Sequence, residues 1–337
     1  MARIWMSGLE SGHRDIFDAS NANAIISAAQ TRTGAYSLYI LAGTGYVNSA
    51  LPASISEVFV RFGMRAAFDS YYLLLTLFDN VGTPQISLTL NEPSHTLEFR
   101  RGSYDDAVLA RGGEIHQNRW HCIEFRLVVD NAAGVFQLKV DGTQVIDFAG
   151  DTQATANANV ASFRIGFRII TNAAVCYYDD IAFNDVAGGV NDSWIGRGGI
   201  PAVFPIGVGA STDLGLFPNT GEANWEDVAE VPPNDDTSYV FDDLIDDHDS
   251  YEMDDLIATG TVAAVQWLAR AKSDLVGNPE IMRVLRIGGV DYDGAADIAI
   301  DADYDYYTEI LDQDPNAGPG AWTVAAINGM EAGVKIR

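Results

Sequence analysis

Apolar side chains recur at every second position through much of the first 190 residues of this 337-residue chain, the period of a strand with one buried face. In Glu57–Met64 the run places Val58, Val60 and Phe62 on one side and Phe59, Arg61 and Gly63 on the other. Tyr71–Asp79 is nearly continuous in apolar residues, which predicts a strand covered on both faces, and Thr96–Arg101 alternates again. Trp120–Asp130 lines up Ile123, Phe125, Leu127 and Val129. Val135–Val140 then returns across Asn131–Gly134, and Asp141-Gly142 is a two-residue hairpin signal leading into Gln144–Phe148. Ser162–Ile169 (Phe163, Ile165, Phe167, Ile169) and Cys176–Asn184 complete the set. Strands and helices do not alternate along the chain, so the pattern predicts a layered antiparallel sandwich over residues 1–187 and argues against a parallel α/β sheet.

Beyond Asn184 the punctuation changes. Gly188-Gly189, a polar run and then Trp194 predict a linker over residues 188–199 that docks at its far end. Residues 200–337 read as a second β-rich domain, with strands at Thr261–Ala269, Ile281–Ile287 and Ala296–Ile300. Trp322, Ala326 and Met330 share one helical face, which predicts a short helix within Ala321–Met330, stopped by Gly333 before Val334–Ile336. The expected fold class is therefore all-β, as two domains with one short C-terminal helix.

Charge separates the halves. The net charge is −27. Residues 1–190 hold 13 Lys/Arg and 19 Asp/Glu, a difference of −6, and residues 191–337 hold 7 and 28, a difference of −21. No Lys or Arg lies between Arg197 and Arg270, whereas Glu222 to Asp255 carries fourteen carboxylates. A surface of that sign repels phosphate backbones, so no direct nucleic-acid contact is expected. Prolines 201 and 205 interrupt the longest weakly polar stretch, Ile200–Ala210, which is too short for a membrane span, and Met1–Glu10 lacks the apolar core of a secretory leader. Cys122 and Cys176 fall in predicted strands and read as buried free thiols, with one cross-strand bridge as the alternative.

Residue patterns that carry chemistry are few. A glucanase on such a sandwich needs carboxylates alternating along one strand, and Glu124 has no such neighbour in its strand. Asp301, Asp303 and Asp305 have the opening spacing of a calcium loop. Tyr306 stands where the turn needs glycine and no glutamate follows at the twelfth position, so an acidic stripe on one strand face is the plainer reading. The five histidines form no HxxxH pair, there is no GxSxG, and Gly196-Arg197-Gly198-Gly199 lacks the order of a phosphate loop. The expectation is a chain that is not an enzyme and needs no cofactor. For carbohydrate, aromatics and carboxylates in or near loops are the candidates: Tyr71, Tyr72, Tyr104, Asp105 and Asp106.

Two resemblances sharpen this. Trp120-His121 with its alternating run, Gly134, the strand ending in Asp141-Gly142, the late Tyr178-Asp179-Asp180-Ile181 and the opening Gly8-Leu9-Glu10-Ser11-Gly12 resemble the strands of concanavalin A-like (laminin-G-like) domains. The resemblance implies a jelly-roll sandwich over residues 1–187, of a class whose members include lectins and glucanases. Asp179-Asp180-Ile181, then Asn191-Asp192-Ser193-Trp194-Ile195-Gly196, then Trp225, then Asp235-Asp236-Thr237-Ser238-Tyr239-Val240, and the closing Pro315–Gly333, resemble structural proteins of tailed bacteriophages, although Arg197 stands where an acidic residue is expected. That kinship implies a virion component assembled in the host cytoplasm, in the capsid decoration or the tail. Its implied partners are other virion proteins, further copies of itself and a cell-surface glycan, with Trp194, Trp225 and Tyr239 as docking residues and residues 200–337 as the assembly domain. A glycan-binding adhesin and a degenerate glycosidase are the alternatives.

Overall fold

Alternating segments become antiparallel strands in the computed structural model, which describes residues 2–41, 44–67, 72–91, 94–166, 175–274, 277, 279–318 and 320–337. The chain divides into two compact units, one of Met1–Glu10 with Arg14–Ile200 and one of Ser11–His13 with Pro201–Arg337. Both are built mainly of strands, as the alternation predicts.

In the first unit the strands are β1 (Arg3–Ser7), β2 (Ala19–Ser20), β3 (Ala24–Ser27), β4 (Ser37–Leu41), β5 (Tyr46–Ile55), β6 (Glu57–Ala67), β7 (Tyr72–Phe78), β8 (Pro84–Asn91), β9 (Thr96–Arg101), β10 (Val108–Glu114), β11 (His121–Val128), β12 (Gly134–Val140), β13 (Thr143–Gly150), β14 (Val160–Gly166) and β15 (Val175–Asn184). One sheet runs β13-β12-β11-β6-β15-β4-β3, with β1 also on β15, and the other runs β10-β9-β8-β7-β14-β5-β2. The core lies between them. Val60, Phe62, Phe125 and Leu138 of the first sheet meet Leu77, Leu88, Phe99 and Phe163 of the second, all fully buried. Phe99 stacks on Phe136 at 3.8 Å and Phe163 on Phe183 at 4.4 Å, so aromatic pairs join the two sheets at both places.

The segment from Trp120 to Phe148 forms three neighbouring strands. Ile123 faces Val140, Leu127 faces Phe136, and β12 turns into β13 through Asp141 and Gly142, both at positive φ (53° and 86°). A right-twisted hairpin needs that backbone, and aspartate followed by glycine supplies it without the clash another side chain would suffer. Strand β8 is absent from the sequence reading although Ile86, Leu88 and Leu90 alternate. The intervening Gln85, Ser87 and Thr89 are also wholly buried, a polar burial that periodicity does not reveal. The strand expected to reach Ile169 is seen as β14 to Gly166; its last residues lie outside those described. Cys122 and Cys176 are buried and free, and burial pushes the Cys176 thiol up to about 12.

In the second unit the strands are β16 (Pro205–Thr212), β17 (Gly215–Phe217), β18 (Tyr239–Phe241), β19 (His248–Met253), β20 (Val265–Ala271), β21 (Glu280–Ile287), β22 (Val290–Asp293), β23 (Ile298–Ala299), β24 (Asp305–Leu311) and β25 (Met330–Ile336), with helices α1 (Asn224–Val228) and α2 (Val324–Asn328). A sheet ordered β16-β19-β25-β21-β22, with β23 on β21, accompanies two ribbons, β17–β18 and β20–β24. Trp267, Ile281, Leu285, Tyr307, Trp322 and Ile327 fill the core. The C-terminal helix is present, capped at its start by the Thr323 hydroxyl, but it ends at Asn328. Gly333 is no stop signal: it lies inside β25, where an added Cβ would fall on the Asp249 carbonyl oxygen of β19. The strand expected from Thr261 starts only at Val265, because Val262 makes an isolated bridge to Trp322.

Candidate functional site

The densest polar constellation lies on the face of the β6–β11–β15 sheet that looks away from the sandwich core. Side chains on β6 alternate, so Val60 and Phe62 go inward and Phe59, Arg61 and Gly63 must point out. The segment expected as a linker is strapped across this face. Asn184 donates to the Ser193 carbonyl (3.0 Å), and Trp194 packs edge-on against Phe59 with the Lys139 ammonium 3.3 Å from its ring centre. Glu124 then accepts from the backbone N–H groups of Ile195 (2.5 Å) and Gly196 (2.8 Å). Arg61, 2% exposed, donates to the Gly198 carbonyl, and Arg32 donates to the carbonyls of Arg197 (2.6 Å) and Gly198 (3.2 Å).

Aspartates 179 and 180 anchor the far end. The pairing of β15 with β6 slips between Asp179 and Ala182, a bulge that carries Asp180 at φ 52°, a conformation aspartate tolerates better than most residues. Asp180 forms an ion pair with Arg32 and accepts from the Thr33 hydroxyl (2.6 Å) and the Ile200 N–H (2.5 Å). Asp179 accepts from the backbone N–H groups of Arg32 (2.7 Å), Thr33 (3.2 Å) and Asp180 (2.7 Å). Burial, with the Asp180 charge beside it, outweighs those donors and pushes the Asp179 carboxyl up to about 7. A carboxyl whose folded pKa is raised gives its full contribution below the unfolded value near 4 and loses it as pH climbs through 7. Stability of the first unit is therefore expected to decline from pH 4 to pH 8, and Asp179→Asn is expected to flatten that slope in urea titrations at stepped pH; an unchanged slope would refute the assignment.

The outer face of the other sheet is polar too. Thr76, Ser87, Thr89 and Glu98 are buried there among neighbouring side chains. Glu98 accepts from Arg100 (2.5 Å), Arg111 (2.6 Å) and Asn91 (2.9 Å); burial acts to raise its carboxyl, but the two arginines prevail and hold it below the ordinary range. Beside this cluster Arg164, held by Asn48 (2.8 Å), lies over Tyr46 and Phe78 at 4.9 and 5.2 Å. Of the sequence candidates for carbohydrate, Asp106 reaches this face through its carbonyl, which accepts from Arg100 (2.8 Å), while its carboxylate caps the Ser103 N–H (2.6 Å). Asp105 is exposed in the same loop, and Tyr104 packs against the core. Tyr72 opens β7, and Tyr71 lies outside the described residues.

In the second unit Asp235 clasps Arg270 with both oxygens (2.6 and 2.9 Å) and Asp236 meets Lys272 (2.5 Å), while Tyr304 and Tyr306 flank the guanidinium at 5.4 and 5.1 Å. The Arg270 hydrogen bond outweighs burial and keeps the Asp235 carboxyl low. Trp225 sits in α1, half-buried, and Tyr239 stacks on Phe217 at 4.9 Å. The calcium candidates are not assembled. Asp301 and Asp303 lie in the turn before β24, Asp305 begins that strand, and no group of three or more metal-ligating side chains is gathered among the described residues. The expected acidic stripe on one strand face is corrected accordingly. His121 pairs with Asp141 (2.8 Å) yet is 3% exposed at its side chain, and its other nitrogen accepts from the His116 N–H (3.1 Å), so both ring nitrogens are occupied.

No protein-family model and no curated protein matches the sequence. Solved structures do resemble it. An endo-β-1,4-glucuronan lyase from the fungus Trichoderma reesei is 16% identical over 54% of this chain and 95% of that one (TM-score 0.41). An alginate lyase is 14% identical over 55% and 93% (TM-score 0.36), and a carbohydrate-binding module from Bacillus subtilis is 12% identical over 50% and 94% (TM-score 0.34). At these identities the likeness is one of fold. The expectation of a chain that is not an enzyme is corrected on this point: structures similar to this one include polysaccharide lyases.

Proposed function

We propose that this chain is a structural component of a tailed-bacteriophage particle, its first unit presenting a polar sheet face to cell-surface carbohydrate and its acidic second unit joining it to the particle. The observation that carries the reading is where the phage-like residues fall. Asp179, Asp180 and the run Asn191–Gly196 form the strap on the first unit, and Asp235-Asp236 clasp Arg270 and Lys272 in the second. The stretches that resemble phage structural proteins thus include one that straps backbone to buried charge in the first unit and one that pairs carboxylates with Arg270 and Lys272 in the second.

For the carbohydrate arm, the support is the outer face of the β7–β14 sheet, where half-buried Arg164, stacked on half-buried Tyr46 and Phe78, combines the polar and aromatic surfaces that sugars bind. Mass spectrometry of gradient-purified particles is expected to find the chain at fixed stoichiometry. Particles that assemble complete and infectious without it would overturn the particle role. On an array of neutral, uronate and sialylated oligosaccharides, Arg164→Ala is expected to weaken a binding signal at least tenfold, about 1.4 kcal/mol, with the near-ultraviolet circular dichroism unchanged; equal binding by the variant would move the site elsewhere.

A further inference from the structure

Ribbon β17–β18 leaves an aromatic face uncovered. Phe217 and Tyr239 are directly paired across the ribbon, and Phe241 lies two residues on, over Gly215, with its ring 6.0 Å from that of Tyr239. Phe217 is 45% exposed and Phe241 53%, and the chain continues into Leu244 and Ile245 at 60% and 70%. Asp242, Asp243, Asp246 and Asp247 are interleaved with these apolar residues, in a stretch with no Lys or Arg between Arg197 and Arg270. Large exposed apolar side chains grouped in this way mark interaction surfaces.

We propose that this aromatic ribbon is the contact by which the second unit binds a partner protein, one whose surface offers an apolar groove edged by lysine and arginine; the proposal rests on the particle-component reading above. Charge selects that occupant. A second copy would bring the same carboxylates against one another across a two-fold contact, at a cost that a basic rim converts into attraction. A sugar is disfavoured by ring geometry. Phe217 and Tyr239 are stacked within 26° of parallel at 4.9 Å, so each spends one face on the other and less open ring surface is left for a sugar to stack on.

The test uses particles produced without the chain and the purified full-length protein added back, read by co-sedimentation. Wild type is expected to bind, with affinity falling as sodium chloride rises from 0.05 to 0.5 M in accord with screening. The Phe217→Ser/Phe241→Ser double variant is expected to lose at least tenfold in affinity. Asp243→Lys, an exposed change on the ribbon's flank, is expected to lose affinity and salt dependence together, and serves should the double variant misfold. Carbodiimide treatment is expected to couple Asp242 or Asp243 to a partner lysine. Wild type that fails to bind would sink the particle reading itself. Wild type that binds while the variants bind equally well would overturn the ribbon alone, and competition by oligosaccharide would assign it to glycan instead.

Discussion

Asp180→Ala is expected to cost the first unit about 3–5 kcal/mol, the scale for removing one partner from a buried ion pair. The residue is wholly buried, and its loss leaves Arg32 without its carboxylate, takes the countercharge from near Arg61, and strips the Thr33 hydroxyl and Ile200 N–H of their acceptor. Alanine also tolerates φ 52° less well than aspartate. Two readouts check this. The urea midpoint should fall, and trypsin should cut after Arg197 under native conditions, because the strap is held by this anchor at one end and Glu124 at the other. A midpoint within about 0.5 kcal/mol of wild type, the range of neutral surface changes, would mean that the strap is held chiefly by Trp194.

Gly333→Val is the corresponding test of the second unit. Strand β25 runs between β19 and β21, with Gly333 paired to Ser250 on one side and Val284 on the other, and its carbonyl accepts from Trp267 Nε1 at 3.0 Å. A branched side chain there meets backbone, which cannot rotate away as a side chain can. Overpacking costs typically 1–3 kcal/mol, and we expect more than about 3 against a fixed carbonyl. Limited proteolysis with mass mapping should show cleavage concentrated within Pro201–Arg337 while the first unit's fragment survives. A variant as resistant as wild type would show that β25 can shift to make room.

How much of this was legible in the residues depends on what each signal measures. Alternation located β6, β9 and β11 to β13 because one face of each is apolar and the other polar, and Asp141-Gly142 fixed the hairpin because few other pairs accept two positive φ angles. The same logic passed over β16, where the pattern is inverted. Ile206 and Val208 are half exposed, and the alternate positions are glycines, of which Gly209 has no room for a Cβ against the Ser250 carbonyl of β19. The strap was legible only as a glycine pair followed by tryptophan. Arg61 and Glu124 read as ordinary outward residues of two strands, and nothing local says that a segment 70 residues further on or more will bury them. Asp179-Asp180 belongs to both resemblances in the sequence, but the raised carboxyl of Asp179 follows from three-dimensional crowding alone.

Strand β15 has a consequence for how the molecule is made. It joins β6, β4 and β1 in the first sheet, yet Val175–Asn184 leaves the ribosome long after they do, and Arg3 of β1 pairs with Asn184 at its far end. At about 5–20 residues per second, the opening strand waits roughly 10–40 s for its neighbour. During that interval nascent chains carry hydrogen-bonding strands with vacant flanks, so crowded polysomes and elevated temperature should penalise soluble yield more than the finished sandwich's stability would suggest, and slowing initiation should recover it.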